Sequence, residues 1–597
     1  MAEADLSSPV TWDADGAPRS RAFGDVYFSK VDGLAEARAV FLTGCGLPDA
    51  WATRDRFTVA ELGFGSGLNI LALLELWRRT RPAGGRLHIF SVEAFPLSAE
   101  EAGRALAAWP EIADLATPLL ARWPRRARGF HRIDFPDLDA SLDLAVMDVA
   151  DALDGWSGAA DAWFLDGFSP ACNPGMWSQA VFDAVARRSA PGARAATFTV
   201  AGAVRRGLAA AGFEVAKAPG FGRKRERLEA RLPSAPTPLA ARPSVAVVGA
   251  GVAGASLARA FTALGCTVQV FEAASPGAGA SGNPAALVMP RLDAGGGPIA
   301  QLYAQALARA ADLYAETPNA VIARGVLQFE TGPKDASRFA RIAASDLFAE
   351  GAVQPLSRAQ MDERLGEPAP TAGLTLAEAV VIEPAAVLSV WLGDRIQMSR
   401  VAKVLRTEGG WSLRNGEGCE IARADVVCLA AGLASRDLAP DAPLSAVRGQ
   451  VGWLAGMDPP SAAIGGGYVI PTRDGLLFGA THDRDDAGDD ARPVDTPRNL
   501  ALLAQVRPEL AGAVDPASVR ARAGVRAVTP DFLPLAGALE SGLFILSGLG
   551  SRGFCAAPLL AEHIAASAVG APSPLPRALA AIVDPERFEA RRRRRGG

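Results

Sequence analysis

Apolar positions in the first 232 residues fall into two alternating kinds of run. Short, nearly continuous ones (Phe57–Leu62, Leu87–Glu93, Asp161–Leu165) predict strands, and Leu68–Arg79 between the first two predicts a helix. This alternation is that of a parallel sheet with crossover helices. At 232–243 the pattern gives way to Leu-Pro-Ser-Ala-Pro-Thr-Pro-Leu-Ala-Ala-Arg-Pro, four prolines in twelve residues. Such a stretch is a stiff, extended connector. It divides the chain into 1–232, a linker at 233–243, and 244–597.

Beyond the linker a new unit begins: strand Ser244–Val248, loop Gly249–Gly254, helix Ala255–Leu264, strand Thr267–Glu272. The stretch 285–400 is Ala-rich and predicts mostly helix. From about 403 to 550, β-like runs (Val447–Leu454, Gly467–Ile470, Leu476–Ala480, Leu543–Leu546) predict a mainly antiparallel sheet inserted into a second Rossmann-type domain. The expected class is α/β, with two nucleotide-binding folds in series.

Composition narrows the class. At 597 residues, 49% hydrophobic and 21% charged, the chain suits a globular protein of two or more domains. Six scattered cysteines, without a Cys-x-x-Cys pair or histidines at ligand spacing, predict neither a zinc site nor a disulfide framework. An acidic N-terminus without an apolar core and no apolar run of ~18 residues predict no signal peptide, no membrane span and a cytoplasmic setting. The net charge of −4 disfavours indiscriminate polyanion binding. Local basic clusters (Arg122, Arg125, Arg126, Arg128, Arg132; Arg223, Lys224, Arg225, Arg227; Arg591–Arg595) are either solvated faces or phosphate contacts, and together they lean toward a nucleic acid.

Two glycine-rich loops carry the chemistry. In Gly249-x-Gly251-x-x-Gly254 the first Gly permits a tight turn, the second admits a pyrophosphate, and the third lets helix pack on strand. Glu272, ending the next strand, is placed for ribose hydroxyls. FAD is favoured over NAD by Ser281, Gly282 and Asn283 in a small-residue loop, by Cys428-Leu429-Ala430-Ala431-Gly432, and by Gly548, Gly550, Arg552 and Gly553 ahead of a helix-like stretch, Ala556–Ala566. This set resembles the D-amino-acid oxidase and glycine oxidase group, whose substrates are amines bearing a carboxylate. The resemblance implies a carboxylate-clamping Arg on the antiparallel sheet. Arg526 in Gly-Val-Arg-Ala-Val-Thr-Pro-Asp is the candidate; a sheet-edge ion pair is the competing reading.

The earlier loop, Glu61-Leu-Gly63-Phe-Gly65-Ser-Gly67, resembles motif I of S-adenosylmethionine-dependent methyltransferases. Glu93, ending the next strand, would take the ribose hydroxyls, and Asp148 would meet the adenine amino group. Asp166 opens Asp-Gly-Phe-Ser-Pro-Ala-Cys-Asn-Pro-Gly-Met-Trp, similar to the rigid loops of amino-methyltransferases. There it would bond an incoming amine and receive the departing proton. Phe168 and Trp177 either stack a base or pack in the core.

Taken in order, Glu61–Asn69, the 166–177 loop, Ala280-Ser281-Gly282-Asn283-Pro284 and Gly550-Ser551-Arg552-Gly553 resemble the bifunctional family of tRNA 5-methylaminomethyl-2-thiouridine biosynthesis over nearly the whole chain. The resemblance implies an FAD domain that converts 5-carboxymethylaminomethyl-uridine at the tRNA wobble position to 5-aminomethyl-uridine. It implies a methyltransferase domain that then methylates the new amine. Ala285-Ala286-Leu287-Val288 departs from that pattern, standing where a Gln-Gly-containing turn is expected. Two other readings are an amino-acid oxidase fused to an N-methyltransferase without an RNA substrate, and a scaffold in which one domain is inactive. Basic clusters near both loops weigh against the first; Glu61, Asp166, Glu272 and Arg526 weigh against the second.

Overall fold

A computed structural model describes residues 8–14, 16–29, 31–222, 224–235 and 241–596, with the backbone alone for 594–596. Residues 1–5, Arg223, linker residues 236–240 and the side chains of Arg594 and Arg595 lie outside the described residues. The chain divides into two compact units, Met1–Ala241 with Pro572–Arg577, and Arg242–Ala571 with Ala578–Gly597.

The first unit is built on an eight-stranded sheet. Its order is Gly129–Phe135, Ala140–Val146, Arg86–Glu93, Arg56–Leu62, Ala160–Leu165, Ser189–Thr197, Glu226–Arg231, Glu214–Pro219. The five strands from Ala140–Val146 to Ser189–Thr197 run parallel. All seven residues of Arg56–Leu62 are buried, which explains the continuous apolar run: helices cover both faces. Side chains alternate between the faces. Phe57 and Val59 join one core with Trp51 and Trp77, while Ala60 and Leu62 join another with Trp156 and Trp163.

The second unit contains a six-stranded sheet, ordered Ile396–Met398, Thr267–Glu272, Ser244–Val248, Val426–Leu429, Leu543–Ser547, Leu535–Glu540, with only the last strand antiparallel. Against the expectation of mostly helix at 285–400, this stretch mixes both. It supplies helices such as Pro298–Glu316, and also the strands Ala286–Val288, Val321–Phe329, Val353–Leu356 and Gly373–Ile382. These four join the strands between Ser445 and Val528 in a ten-stranded, mainly antiparallel sheet. Alanine is the best helix former, but intrinsic propensity is small beside packing, and burial of Val326, Leu374, Leu376 and Val381 in one core overrides it. The departure at 285–288 lies here, since Ala286–Val288 pairs with Gly373–Ile382. Leu543–Leu546, expected in the antiparallel sheet, instead pairs parallel with Val426–Leu429 in the six-stranded one, where its wholly buried run suits a strand covered on both faces.

In both units the first strand of the parallel sheet lies between strands reached in opposite directions. Arg56–Leu62 is flanked by Arg86–Glu93 and Ala160–Leu165, and Ser244–Val248 by Thr267–Glu272 and Val426–Leu429. The crevice at the carboxyl end of such a strand is where open α/β sheets bind ligands. Both glycine loops open there.

Among the described residues no helix is long and apolar enough to cross a membrane. All six cysteines are free.

Candidate active sites

The two crevices are built alike. In the first, the Glu93 carboxylate accepts the Gly65 N–H at 3.0 Å and the Phe95 N–H at 2.9 Å. In the second, Glu272 accepts the Ala250 N–H at 2.8 Å and the Ala274 N–H at 2.9 Å. Each acid thus ties its glycine loop to the end of the neighbouring strand, two residues before its own second donor. Burial pushes the Glu93 carboxyl above the usual carboxylate range.

The leading glycines are required sterically. Gly63 has φ +98°, and a Cβ there would lie 2.4 Å from the Asp166 carbonyl oxygen. Gly249 has φ +110°, and its Cβ would lie 2.6 Å from the carbonyl oxygen of Ala430. In each unit the loop therefore presses on the backbone of the strand across the crevice. Gly254 serves packing, since a Cβ would meet the Gly249 carbonyl oxygen at 1.8 Å, and at Gly251 a Cβ would lie 3.1 Å from the Ser281 hydroxyl oxygen. Gly65 and Gly67 complete the first loop.

Asp166 follows strand Ala160–Leu165 directly. Its Oδ1 accepts the Gly167 N–H at 3.1 Å and its Oδ2 accepts an Asn69 Nδ2–H at 2.7 Å. The same Asn69 amide nitrogen donates to Glu61 Oε1 at 3.0 Å, and the Ser91 hydroxyl donates to Glu61 Oε2 at 2.5 Å. Glu61 is fully buried, and burial lifts its carboxyl to about 8, with the Asp166 charge adding to the rise. Burial also lifts Asp166, to about 7. A carboxyl titrating near neutrality is suited to exchanging a proton with an amine. Asp148 is exposed and caps helix Val149–Gly155, its Oδ1 accepting the Ala150 N–H at 2.8 Å. Trp177 is buried, donating from Nε1 to the Phe168 carbonyl, which is the core reading. Phe168 is half-buried, its ring 5.0 Å from Phe23 and 5.3 Å from Tyr27. The Ser169 N–H donates to Asp25 at 2.9 Å. Sequence reasoning did not find Phe23, Asp25 and Tyr27, which precede the motif by some 140 residues and carry no pattern of their own.

The second crevice opens into a cavity of about 1050 Å³, lined by Gly249, Gly251, Glu272, Ser281, Asn283, Arg526, Gly548, Gly550, Arg552 and Gly553 among others. The Val252 N–H donates to the Ser281 hydroxyl at 3.0 Å, fastening the 277–283 loop to the start of helix Val252–Ala263. Gly282 belongs to that loop, where a Cβ would lie 2.2 Å from the Gly277 carbonyl oxygen. Helix Gly553–Val569 begins at the cavity wall, where its first N–H groups have no partner within the helix. Such a large, glycine-walled cavity fits a dinucleotide, and the glycine loop Gly63–Gly67 with Glu93 at the end of the next strand fits an adenosyl cofactor. Arg522 was missed by the motif reading. Its guanidinium donates to the Gly277, Ala278 and Gly279 carbonyls at 3.2, 2.9 and 2.6 Å and to Asn283 Oδ1 at 3.0 Å.

Arg526 lies on strand Arg520–Val528 and faces the cavity with Tyr468 and His482. Among the described residues its guanidinium has no hydrogen-bond or ion-pair partner, so it is not the sheet-edge pair considered above. It lies flat over Gly449 on the adjacent strand, where a Cβ would come within 2.3 Å of a guanidinium nitrogen. Burial and the Arg526 charge hold His482 below the usual imidazole range, so it is neutral at pH 7. Burial also lowers the Arg552 guanidinium.

Residues 110–233 match a family of S-adenosyl-L-methionine-dependent methyltransferases, and residues 244–567 match the FAD dependent oxidoreductases. The glycine oxidase of Geobacillus kaustophilus is similar over 55% of this chain and 95% of its own, at 21% identity and a TM-score of 0.47. A tRNA 5-methylaminomethyl-2-thiouridine biosynthesis bifunctional protein of Caulobacter vibrioides is 58% identical, covering 98% of both chains. Its counterpart in Maricaulis maris is 43% identical over 98% of this chain and 97% of its own. With two cofactor crevices in the same order and this identity over almost its full length, the chain belongs to the MnmC family of bifunctional proteins.

Proposed function

We propose that this chain performs two successive reactions on the wobble uridine of tRNA in the cytoplasm. Its FAD domain removes the carboxymethyl group of 5-carboxymethylaminomethyl-(2-thio)uridine, leaving the 5-aminomethyl base. Its methyltransferase domain then methylates that primary amine. When bound, FAD supplies a two-electron acceptor and S-adenosylmethionine supplies the methyl group. The observation that carries this reading is an unpartnered guanidinium in one cavity and a near-neutral carboxyl in the other crevice, within a chain 58% identical to a relative bearing that name.

The first substrate is an N-substituted glycine, so it brings a carboxylate that the Arg526 fork can bind at two points. His482 and Tyr468 line the same cavity, and being uncharged they do not compete with Arg526 for the carboxylate. The second substrate has lost that carboxylate and offers an amine instead. Asp166 would accept a hydrogen bond from this amine, align its lone pair, and take its proton at a carboxylate oxygen as the new C–N bond forms. Glu61, Gly63, Gly65, Gly67, Glu93 and Asp148 would hold S-adenosylmethionine. Gly249, Gly251, Gly254, Glu272, Ser281, Gly282, Asn283, Gly548, Gly550, Arg552 and Gly553 would hold FAD. Domain limits of 1–232 and 244–597 follow from this division of labour.

Nucleoside mass spectrometry of tRNA from a strain lacking the gene tests the reading. It predicts accumulation of the carboxymethylaminomethyl nucleoside and loss of the methylaminomethyl one. An unchanged nucleoside profile would instead favour a fused pair of small-molecule enzymes.

A further inference from the structure

We infer that Asn69 is a positioning residue for methyl transfer: its amide nitrogen, shared between Glu61 and Asp166, turns the Asp166 carboxylate toward the amine and favours its ionised form. This inference rests on the proposed methylation.

The side chain sits in the first turn of helix Leu68–Thr80, next to Gly67. From there it reaches back across the glycine loop. Its nitrogen is 2.7 Å from Asp166 Oδ2 and 3.0 Å from Glu61 Oε1. The NH₂ end of the carboxamide has two protons to give and so serves two accepting carboxyl oxygens at once, which the carbonyl end cannot. Both N–H bonds are thereby used, and the orientation of the amide is fixed by its partners.

The rest of the chain of bonds explains why an amide is needed. Glu61 is completely buried, its second oxygen takes the Ser91 hydroxyl at 2.5 Å, and no cation pairs with it among the described residues. Glu61 therefore acts as an acceptor that aims one Asn69 N–H away from itself. The other N–H falls on Asp166, which also accepts the N–H of the next residue, Gly167, at 3.1 Å. A bond to the adjacent backbone leaves the carboxylate free to swing about its own side-chain torsions. The bond from a helix across the loop does not. Donation to the charged form also favours ionisation, opposing the burial that raises both carboxyls. A carboxylate must be ionised before it can accept a proton from the amine. Asn69 thus directs Asp166 and favours its ionised form without touching the reacting atoms.

The experiment compares unaltered protein with Asn69→Leu and Asn69→Asp, using tRNA carrying pre-made 5-aminomethyl-uridine. Leucine keeps the bulk and removes both donors; aspartate keeps the shape and replaces a donor by a third carboxyl. The pH profile of kcat and the Kd of S-adenosylmethionine are measured for each. A lost hydrogen bond to a charged group predicts kcat lower by about ten- to hundredfold for Asn69→Leu. The acidic limb of the profile should move to higher pH in both variants, further for Asn69→Asp, while cofactor Kd changes by less than about threefold. A reduced kcat with an unshifted acidic limb would reduce Asn69 to a structural residue and overturn the inference. So would a fall in cofactor affinity matching the fall in rate, which would make Asn69 a support of the cofactor loop. Failure of the unaltered protein to methylate this tRNA overturns the proposed function itself, and is distinguishable because it appears before any substitution.

Discussion

Substituting Gly449 by alanine tests the carboxylate anchor without removing it. The Cβ would lie 2.3, 2.6 and 2.7 Å from the Nη1, Nη2 and Cζ atoms of Arg526, well inside van der Waals contact. What yields is the end of a long side chain, so the guanidinium moves by roughly 1 Å while the two paired strands, Ser445–Ala455 and Arg520–Val528, keep their register. A displacement of that size in a substrate-positioning group costs on the order of 10²-fold in rate. Arg526→Ala should cost more, about 3–5 kcal/mol, because a bound carboxylate then loses its partner altogether. The assay is kcat/KM for conversion of carboxymethylaminomethyl tRNA, with the flavin absorption spectrum and the methylation of 5-aminomethyl tRNA as controls that should not change. The two substitutions should not add, because Gly449→Ala has nothing to displace once the guanidinium is gone. Full activity in Gly449→Ala, or an additional loss from it in the Arg526→Ala background, would show that Arg526 does not hold the substrate carboxylate.

Other consequences follow from the same geometry. Asp166→Ala should lower methylation by about 10²–10⁴-fold and leave oxidation intact, so that 5-aminomethyl-uridine accumulates; normal methylated product would leave Asp166 only a structural role. Arg522→Ala strips four acceptors on the 277–283 loop of their common donor and should weaken FAD retention by about tenfold or more; equilibrium dialysis giving an unaltered FAD Kd would argue against it. In cofactor-free protein, the raised Glu61 carboxyl keeps its proton in the folded state while the unfolded chain releases it. Stability is therefore lost as pH rises from about 4.5 to about 8, by at most about 1.4 kcal/mol per pH unit. Glu61→Gln should remove this component, so its stability relative to unaltered protein should grow across that window; a constant difference would place the Glu61 charge elsewhere than in a dry core.

Much of this protein was settled by local sequence. Gly63 and Gly249 announce themselves because a positive φ and a backbone carbonyl 2.4 or 2.6 Å from a would-be Cβ tolerate no other residue. Glu93 and Glu272 were legible as acids ending the strand after each loop, although their bonds to the Gly65 and Ala250 amides were not. The run Phe57–Leu62 was legible as a strand of a parallel sheet with crossover helices, and all seven residues of Arg56–Leu62 are buried accordingly. What only the tertiary structure decided are the partnerships across distance. Asn69 donates to Glu61 and Asp166 from a helix turn, Arg522 reaches a loop some 240 residues earlier, and Arg526 rests on Gly449 of the neighbouring strand. The 285–400 stretch misled because alanine content speaks for the helix, whereas the strands among it exist only by pairing with segments far along the chain. Local pattern encodes what a residue must be to suit its own backbone; sheet order and register, which arise from long-range packing, decide which side chains then meet.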